Sequence, residues 1–191
     1  MIYYLFFTHI ASYWFTVFLY TYLLQQWKDE TLKVATNVII NQFLVTPLYW
    51  FPYQFYPDPF SYHHGVWQLP AIILLTDIIF YIMHRIFHWQ KILYTRIHER
   101  HHKYDPPVAA AALYAHPVEH LFINLGSTVL PMFLVRCSFE VAIVWTLIAS
   151  INVVVAHTTL HGGQHALHHK YKTCNFGVGP MLMDKIFKTY R

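Results

Sequence analysis

Residues 77–102 read DIIFYIMHRIFHWQKILYTRIHERHH, an apolar segment that ends in closely spaced histidines. His84 and His88 lie four residues apart, so on a helix both rings project from one face, one turn apart. Asp77 lies seven residues before His84, two turns along the same face. Three more histidines follow at i, i+3 and i+4: His98, His101 and His102. The pattern predicts a helix that delivers metal-binding side chains to one of its ends.

The same pattern occurs again near the end of the sequence. Its five histidines are His157, His161, His165, His168 and His169. The windows 84–102 and 157–169 together contain ten of the fifteen histidines. One metal ion rarely takes more than about six ligands, so ten imidazoles indicate two metal ions. Neutral imidazole binds zinc, copper, iron and nickel, so the ligand type alone does not choose the metal.

The other five histidines lie outside these windows. Three of them are interpreted as ordinary polar side chains: His9, His63 and His64. His116 and His120 are four residues apart, but Pro117 and Glu119 lie between them at the start of an apolar run. Both a structural and a ligand role therefore stay open for this pair.

The composition is typical of a membrane protein. Hydrophobic residues make up 56% of the 191 residues, aromatic residues 19% and charged residues only 12%. The length predicts a single domain over 1–191. Within it we expect N-terminal membrane helices in 1–65, and the histidine windows indicate that any catalytic region lies in 66–191. The net charge is +4, but Lys and Arg form no dense run, which argues against nucleic acid as a partner. The two cysteines are too few for a disulfide framework.

Apolar runs predict four or five membrane-spanning helices in an all-α bundle. The candidate segments are 1–27, 34–56, 66–83, 118–135 and 139–156. The first has no basic start and no cleavage site, so we interpret it as a retained anchor. The second contains several polar residues and could instead be a half-embedded helix. The last two are 18 residues long, about 27 Å as helices, and form either a thin crossing or a re-entrant pair.

The two histidine clusters are expected on the same side of the membrane. The hairpin between them crosses the membrane twice or not at all, so parity places both clusters on one face. With five spans and an outside N-terminus, twelve of the thirteen Lys and Arg residues face inside, and only Arg136 faces outside. The positive-inside rule then predicts a cytoplasmic, histidine-rich cap that binds two metals.

Two carboxylates near the ends of the spans are candidates for orienting the ligands. A carboxylate inside a span costs up to ~2.5–3.5 kcal/mol, so Asp77 should have a partner. It could accept a hydrogen bond from a ligand imidazole and fix the orientation of the ring. The alternative is an interfacial Asp paired with a basic residue. Glu119 invites the same interpretation.

Residues 98–102, H-E-R-H-H, also match H-E-x-x-H, the zinc-protease signature in which Glu99 would be the general base. A zinc protease needs only three ligands, so this hypothesis leaves His84, His88 and most of the distal histidines unexplained. A non-catalytic metal-binding or transport protein is a third possibility. Such a protein would expose acidic or histidine sites along its spans, whereas these histidines gather beyond the ends of the spans.

Several motifs, in order along the chain, resemble the fatty acid hydroxylase / sterol desaturase superfamily. They run from about Asp77 to Arg191 and read H-R-I-F-H, H-E-R-H-H, A-H-P-V-E, H-T-T-L-H-G-G, H-A-L-H-H, N-F-G and D-K-I-F-K-T-Y-R. The segment Y-A-H-P-V-E looks most like sterol methyl oxidases. The H-G-G motif followed closely by H-x-x-H-H, and the T-Y-R ending, look more like sterol C-5 desaturases.

The resemblance implies an integral membrane enzyme with a di-iron centre that uses dioxygen to hydroxylate or desaturate a lipid C–H bond. Zinc could replace the two irons in preparations, and electrons would come from a separate cytochrome b5-like donor or a reductase. No catalytic residue is expected beyond the metal centre. The positions matching the family's ligands are His84, His88, His98, His101, His102, His157, His161, His165, His168 and His169. Asp77, Glu119 and Asn175 would orient these ligands.

We therefore expect a membrane enzyme that oxidises a sterol or a fatty acyl chain, in the endoplasmic reticulum of a eukaryote or the inner membrane of a bacterium. The substrate would reach the metals from the apolar side of the bundle. The third span and the hairpin 118–156 would form the walls of its path. Phe80, Tyr81 and Trp145 are candidates for its apolar lining, with ordinary packing between the spans as the alternative.

Overall fold

The computed structural model describes residues 2–26, 31–50, 62–158 and 163–191, and these residues form helices and no strand. The prediction of an all-α fold is confirmed. The helices are α1 Ile2–Leu23, α2 Thr31–Trp50, α3 Tyr62–Trp89, α4 Lys91–Arg96, α5 Pro117–Val135, α6 Phe139–Ala156, α7 Gln164–Tyr171 and α8 Leu182–Ile186. Two 3-10 helices lie between α4 and α5, at His98–Lys103 and Ala109–Ala111.

Three helical segments in the described part of the chain are long and apolar enough to cross a membrane. They are Gly65–Trp89 within α3, Pro117–Val135 and Phe139–Ala156. Helices α1 and α2 have 22 and 20 residues but are not among these three. The total of four or five spans and the cytoplasmic orientation of the cap therefore stay predictions. Helix α3 continues beyond Met83, the predicted end of its span, so His84 and His88 share a rigid helix with Asp77.

The ends of α5 and α6 are set by local hydrogen bonds. His116 precedes Pro117 at the start of α5, and its Nδ1 accepts a hydrogen bond from the backbone N–H of Val118 at 3.2 Å. Ser138 caps α6 in the same way through Val141. Such side-chain acceptors pair the N–H groups that the first helical turn leaves free. His116 thus has a structural role as a helix cap.

The polar residues of α2 that weaken its apolar pattern bind the chain between the metal-binding segments. Asn41 donates from Nδ2 to the carbonyl of Ala115 at 2.9 Å, and Asn37 accepts from the N–H of Ala115 at 3.2 Å. The small residues Ala109–Ala111 pack as a buried 3-10 helix beside α1 and α2. A buried backbone needs such partners, and the amides of α2 supply them. This contact supports the segment that leads from His102 to α5.

Candidate metal centre

Nine of the ten predicted ligands converge in two adjacent groups where the helices end. One group consists of His84, His88, His98, His102 and His168, and the other of His101, His157, His165 and His169. Within each group, one nitrogen of every ring lies within 4.8 Å of the others. The tenth predicted ligand, His161, lies outside the described residues.

Distances within the five-histidine group fit a shared metal ion. Nε2 of His98 lies 3.0 Å from Nε2 of His84 and 2.9 Å from Nε2 of His88. A metal bound to imidazole nitrogens at about 2.1 Å, with bonds at right angles, holds neighbouring nitrogens about 3.0 Å apart. The donor set therefore fits an ion with more than four ligands.

In the four-histidine group, several buried ring nitrogens have no partner. Nε2 of His157 lies 3.3 Å from Nε2 of His101. Both nitrogens of His165 and Nε2 of His169 have no hydrogen-bond partner among the described residues. Since buried polar atoms are nearly always paired in native proteins, these nitrogens are available to a metal.

Backbone carbonyls orient five of the nine rings. The pairs are His84 Nδ1 with Phe176 O, His101 Nδ1 with Tyr114 O, His157 Nδ1 with Val153 O, His168 Nδ1 with Cys174 O, and His169 Nδ1 with Tyr104 O, at 2.6–3.2 Å. A carbonyl only accepts, so each of these Nδ1 atoms carries the proton. Each Nε2 then keeps a free lone pair directed at the metal site.

Glu119 lies beside His98, as its position at the start of an apolar run suggested. Its Oε1 is 2.9 Å from Nδ1 of His98, and both side chains are buried. The contact is at ion-pair distance and is not a well-aligned hydrogen bond. It places a carboxylate against the non-coordinating nitrogen of a ligand ring.

Asp77 and Asn175 do not contact the rings directly. Oδ2 of Asp77 accepts from the backbone N–H of Met183 at 2.9 Å, because the side chain faces the C-terminal segment instead of an imidazole. Asn175 donates from Nδ2 to the carbonyls of Gln164 and Arg191 and accepts at Oδ1 from the N–H of Arg191. Both residues thus fix the C-terminal segment, which carries the carbonyls of Cys174 and Phe176.

Asp184 completes this C-terminal support, although no role was predicted for it from the sequence. It is fully buried; its Oδ1 accepts from the N–H of Phe176 and the hydroxyl of Thr189, both at 2.8 Å. Its Oδ2 accepts from the N–H of Gly177 at 2.7 Å. The signal was present, since Asp184 opens the D-K-I-F-K-T-Y-R motif.

Burial keeps the ligands outside the spans neutral. It lowers the pKa of His101 to about 4, and burial together with the charge of His101 lowers the pKa of His157 to about 3. Burial, followed by the neighbouring imidazoles, also lowers the pKa values of His98, His165 and His168 well below the usual value. Rings with such pKa values are unprotonated at pH 7, the state that binds metal.

An apolar cavity of about 290 Å³ lies beside the metal-binding groups, between α1, α3, α5 and α6. Phe80 and Trp145 are among the residues that line it. Tyr81 is not among them: its ring stacks on Phe187 and its hydroxyl accepts from Arg85, which agrees with the alternative of ordinary packing. Four cavity residues also line a small space beside His84, His101 and His157: Phe80, Asn124, Val153 and Val178. The cavity is therefore adjacent to the space beside these rings.

The zinc-protease hypothesis does not fit this arrangement. Residues His98–Lys103 form a 3-10 helix on which Glu99 is exposed, while His98 and His102 are buried. A general base must reach a metal-bound water. Glu99 instead lines an open surface depression, and His98 and His102 share their group with three further histidines.

Comparison with known proteins agrees with the geometry. The model of the fatty acid hydroxylase family matches residues 69–189. The fatty acid hydroxylase ahd1 of Mycosarcoma maydis is 36% identical over 64% of this chain and 33% of its own length. A Delta(7)-sterol 5(6)-desaturase of Candida dubliniensis is 29% identical over 69% of this chain and 36% of its own length. A putative methylsterol monooxygenase of Dictyostelium discoideum is 30% identical over 92% of this chain and 75% of its own length.

The chain spans about a third of the length of the first two of these curated relatives and about three quarters of the third. No solved structure matches it. The family match nevertheless covers the whole region from the third span to the C-terminal support, including both histidine groups. This chain belongs to the fatty acid hydroxylase family.

Proposed function

We propose that this chain is a membrane-bound, non-haem di-iron oxygenase that hydroxylates or desaturates a C–H bond of a sterol or a fatty acyl chain. The observation that carries the proposal is the pair of buried histidine groups next to an apolar cavity. Relatives named as a fatty acid hydroxylase, a sterol desaturase and a methylsterol monooxygenase support it. Dioxygen, two electrons and two protons would yield an alcohol and one water, or an alkene and two waters.

The five-histidine group would hold one iron and the four-histidine group the other. His161, the tenth predicted ligand, would complete the ligand set. Iron bound there would supply the activation of dioxygen. Hydrogen bonds from Nδ1 to backbone carbonyls hold rings such as those of His84 and His168, so that their Nε2 lone pairs are directed at the metal site. Glu119 would keep His98 oriented and increase its basicity. Asp77 and Asn175 would orient the ligand rings indirectly, by fixing the C-terminal segment that carries the carbonyls of Cys174 and Phe176.

The apolar cavity would bind the lipid and exclude water. Three of the four helices around it are long and apolar enough to cross a membrane, so a lipid could enter without crossing water. Phe80 and Val153 lie both on the cavity wall and beside the rings, so they would contact the carbon that reacts.

Electrons would reach the metals from a separate protein on the cytoplasmic face. An open depression at the surface is lined by His102 together with four basic residues: Arg96, Arg100, Lys103 and Lys172. Positive charge around a metal ligand suits the approach of an acidic redox protein. The membrane would be the endoplasmic reticulum in a eukaryote or the inner membrane in a bacterium.

Metal analysis of the purified protein, with lipid profiling of cells that express it, tests the proposal. After anaerobic reconstitution we expect two iron ions per chain, because two separate histidine groups are present. We also expect a new oxidised or unsaturated lipid in the expressing cells. One zinc ion per chain and no second site would contradict the di-iron proposal. Zinc at both sites would not, because imidazole groups accept zinc readily.

The orientation of the cap can be tested by labelling introduced cysteines. Lys103 and Lys172 are exposed beside the two histidine groups, and both native cysteines are buried. Cysteines at these two positions should react with an impermeant reagent from the same, cytoplasmic side. Arg136→Cys, between α5 and α6, should react only from the other side. Labelling of Lys103→Cys and Lys172→Cys from opposite faces would refute the topology.

A further inference from the structure

The apolar cavity contains one imidazole that neither the metal groups nor the fold accounts for. His120 is completely buried and lines the cavity, and it belongs to neither metal-binding group. Its Nε2 has no hydrogen-bond partner among the described residues. A buried polar atom without a partner is unfavourable, so native proteins nearly always pair such atoms. The pairing atom is therefore expected to come from a molecule that enters the cavity.

The second histidine on the cavity wall differs in this respect. Nδ1 of His9 lies 2.8 Å from the hydroxyl of Ser150, and its Nε2 lies 3.1 Å from the amide of Gln42. Gln42 in turn accepts from the indole N–H of Trp14 at 2.9 Å. His9 thus belongs to a closed network between α1, α2 and α6, and of the two cavity histidines only His120 offers a free ring nitrogen.

Two other unpaired oxygen atoms line the cavity, and both have local explanations. The hydroxyl of Thr76 can rotate toward a carbonyl of its own helix. Oδ2 of Asp77 accepts a hydrogen bond from the backbone N–H of Met183. The carboxylate therefore has a hydrogen-bond partner, although its Oδ1 has none among the described residues. Neither presents a ring fixed by a neighbour, as His120 does.

Asn124 determines which proton His120 offers. The two residues lie one turn apart on a π-helical segment of α5, His120–Leu125, a geometry found frequently at functional sites. Nδ2 of Asn124 lies 3.4 Å from Nδ1 of His120. Because an amide nitrogen donates, Nδ1 accepts, and the proton of the neutral ring is on Nε2. His120 therefore presents an N–H donor to the cavity, which calls for an oxygen acceptor.

The acceptor should be uncharged. The described residues that line the cavity include no Lys or Arg, but they include Asp77 with its carboxylate. A carboxylate ligand would be buried without a cation and beside another carboxylate, which is costly. A hydroxyl or carbonyl oxygen is an acceptor and carries no charge, so it meets both requirements.

The residues on either side of His120 border the metal-binding groups. His120 follows Glu119, which contacts His98, and Asn124 lines both the cavity and the space beside His84. We infer that His120 is a positioning residue that binds the hydroxyl or carbonyl oxygen of a neutral lipid. That role rests on the proposed function, and it places the carbon to be oxidised near the oxygen of the lipid.

Binding of three matched probes tests this inference: methyl decyl ketone, the corresponding secondary alcohol, and the corresponding methyl-branched alkane. They have the same number of heavy atoms and differ only at the oxygen. Metal-free wild-type protein should bind the ketone and the alcohol more tightly than the alkane. His120→Phe should reduce this preference about tenfold, the effect of one hydrogen bond. His120→Gln, which keeps an N–H donor, should retain most of it.

Two further variants keep the test decisive. Asn124→Leu releases Nδ1 and should weaken ketone binding even if His120→Phe fails to fold. Thr36→Val removes an exposed hydroxyl from α2, outside the cavity, and should leave the preference unchanged. Equal preferences in wild type, His120→Phe and Asn124→Leu would overturn the inference, as would a loss of preference in Thr36→Val as large as that in His120→Phe. The binding test uses metal-free protein and does not depend on catalysis. If the preference is found but the iron-loaded protein oxidises no lipid, only the proposed function is contradicted.

Discussion

Replacing His101 with alanine is expected to abolish lipid oxidation, whereas Glu99→Gln should leave activity within a few-fold of wild type. His101 is buried, and its Nδ1 is held by the carbonyl of Tyr114 while its Nε2 faces His157. Alanine removes a ligand and leaves a gap between three rings. The four-histidine group should then lose its metal, so iron per chain should fall from two toward one. Lipid oxidation and metal content should be measured on the same preparations.

Glu99→Gln is the matched substitution, because Glu99 lies two residues away on the same 3-10 helix but is exposed. An exposed charge near Arg96 and Arg100 contributes only about 0–1 kcal/mol, so its neutralisation should change little. The zinc-protease hypothesis predicts the opposite, since Glu99 would then activate the metal-bound water. Loss of activity in Glu99→Gln with intact metal content would therefore favour the protease and contradict a non-catalytic role for Glu99.

The histidine groups could be predicted because their spacing is a local property of a helix. Residues four apart on α3 must share a face, so His84 and His88 could be placed together from the sequence. The division of the rings between the two metal sites could not be predicted. His98 and His102 join the group on α3, whereas His101, between them, joins rings from α6 and α7. That division depends on how α3, the end of α6 and α7 pack around the 3-10 helix His98–Lys103, and α7 contributes rings to both groups. Spacing within one segment does not encode such packing.

Partners distant in the sequence were also beyond prediction. The burial of Asp77 was foreseeable from the cost of a charge in a span, but its partner, the N–H of Met183, is 106 residues away. Glu119, at the start of α5, lies beside the ring of His98, and its role in orienting that ligand stays a prediction. The π-helical segment that presents His120 has no sequence signature comparable to the four-residue spacing of the ligands.

The largest effect outside the ligands is expected for Asp184→Asn. Asp184 is completely buried and accepts three hydrogen bonds, from the N–H groups of Phe176 and Gly177 and from the hydroxyl of Thr189. Bonds to a charged acceptor contribute about 1.5–3 kcal/mol each. Asparagine has the same shape, but its NH2 group must face at least one of these donors. We expect a loss of about 2–4 kcal/mol in the free energy of unfolding, measured with denaturant in detergent.

The effect on the metals should be selective. Phe176 uses its N–H on Asp184 and its carbonyl on Nδ1 of His84, so a displaced Phe176 releases that ring from its orientation. The five-histidine group should lose metal before the other group, whose carbonyl partners lie elsewhere in the chain. Glu140→Gln makes the same chemical change on an exposed carboxylate in the first turn of α6 and should alter neither property. Asp184→Asn protein with two metals and unchanged stability would show that the C-terminal segment does not orient His84.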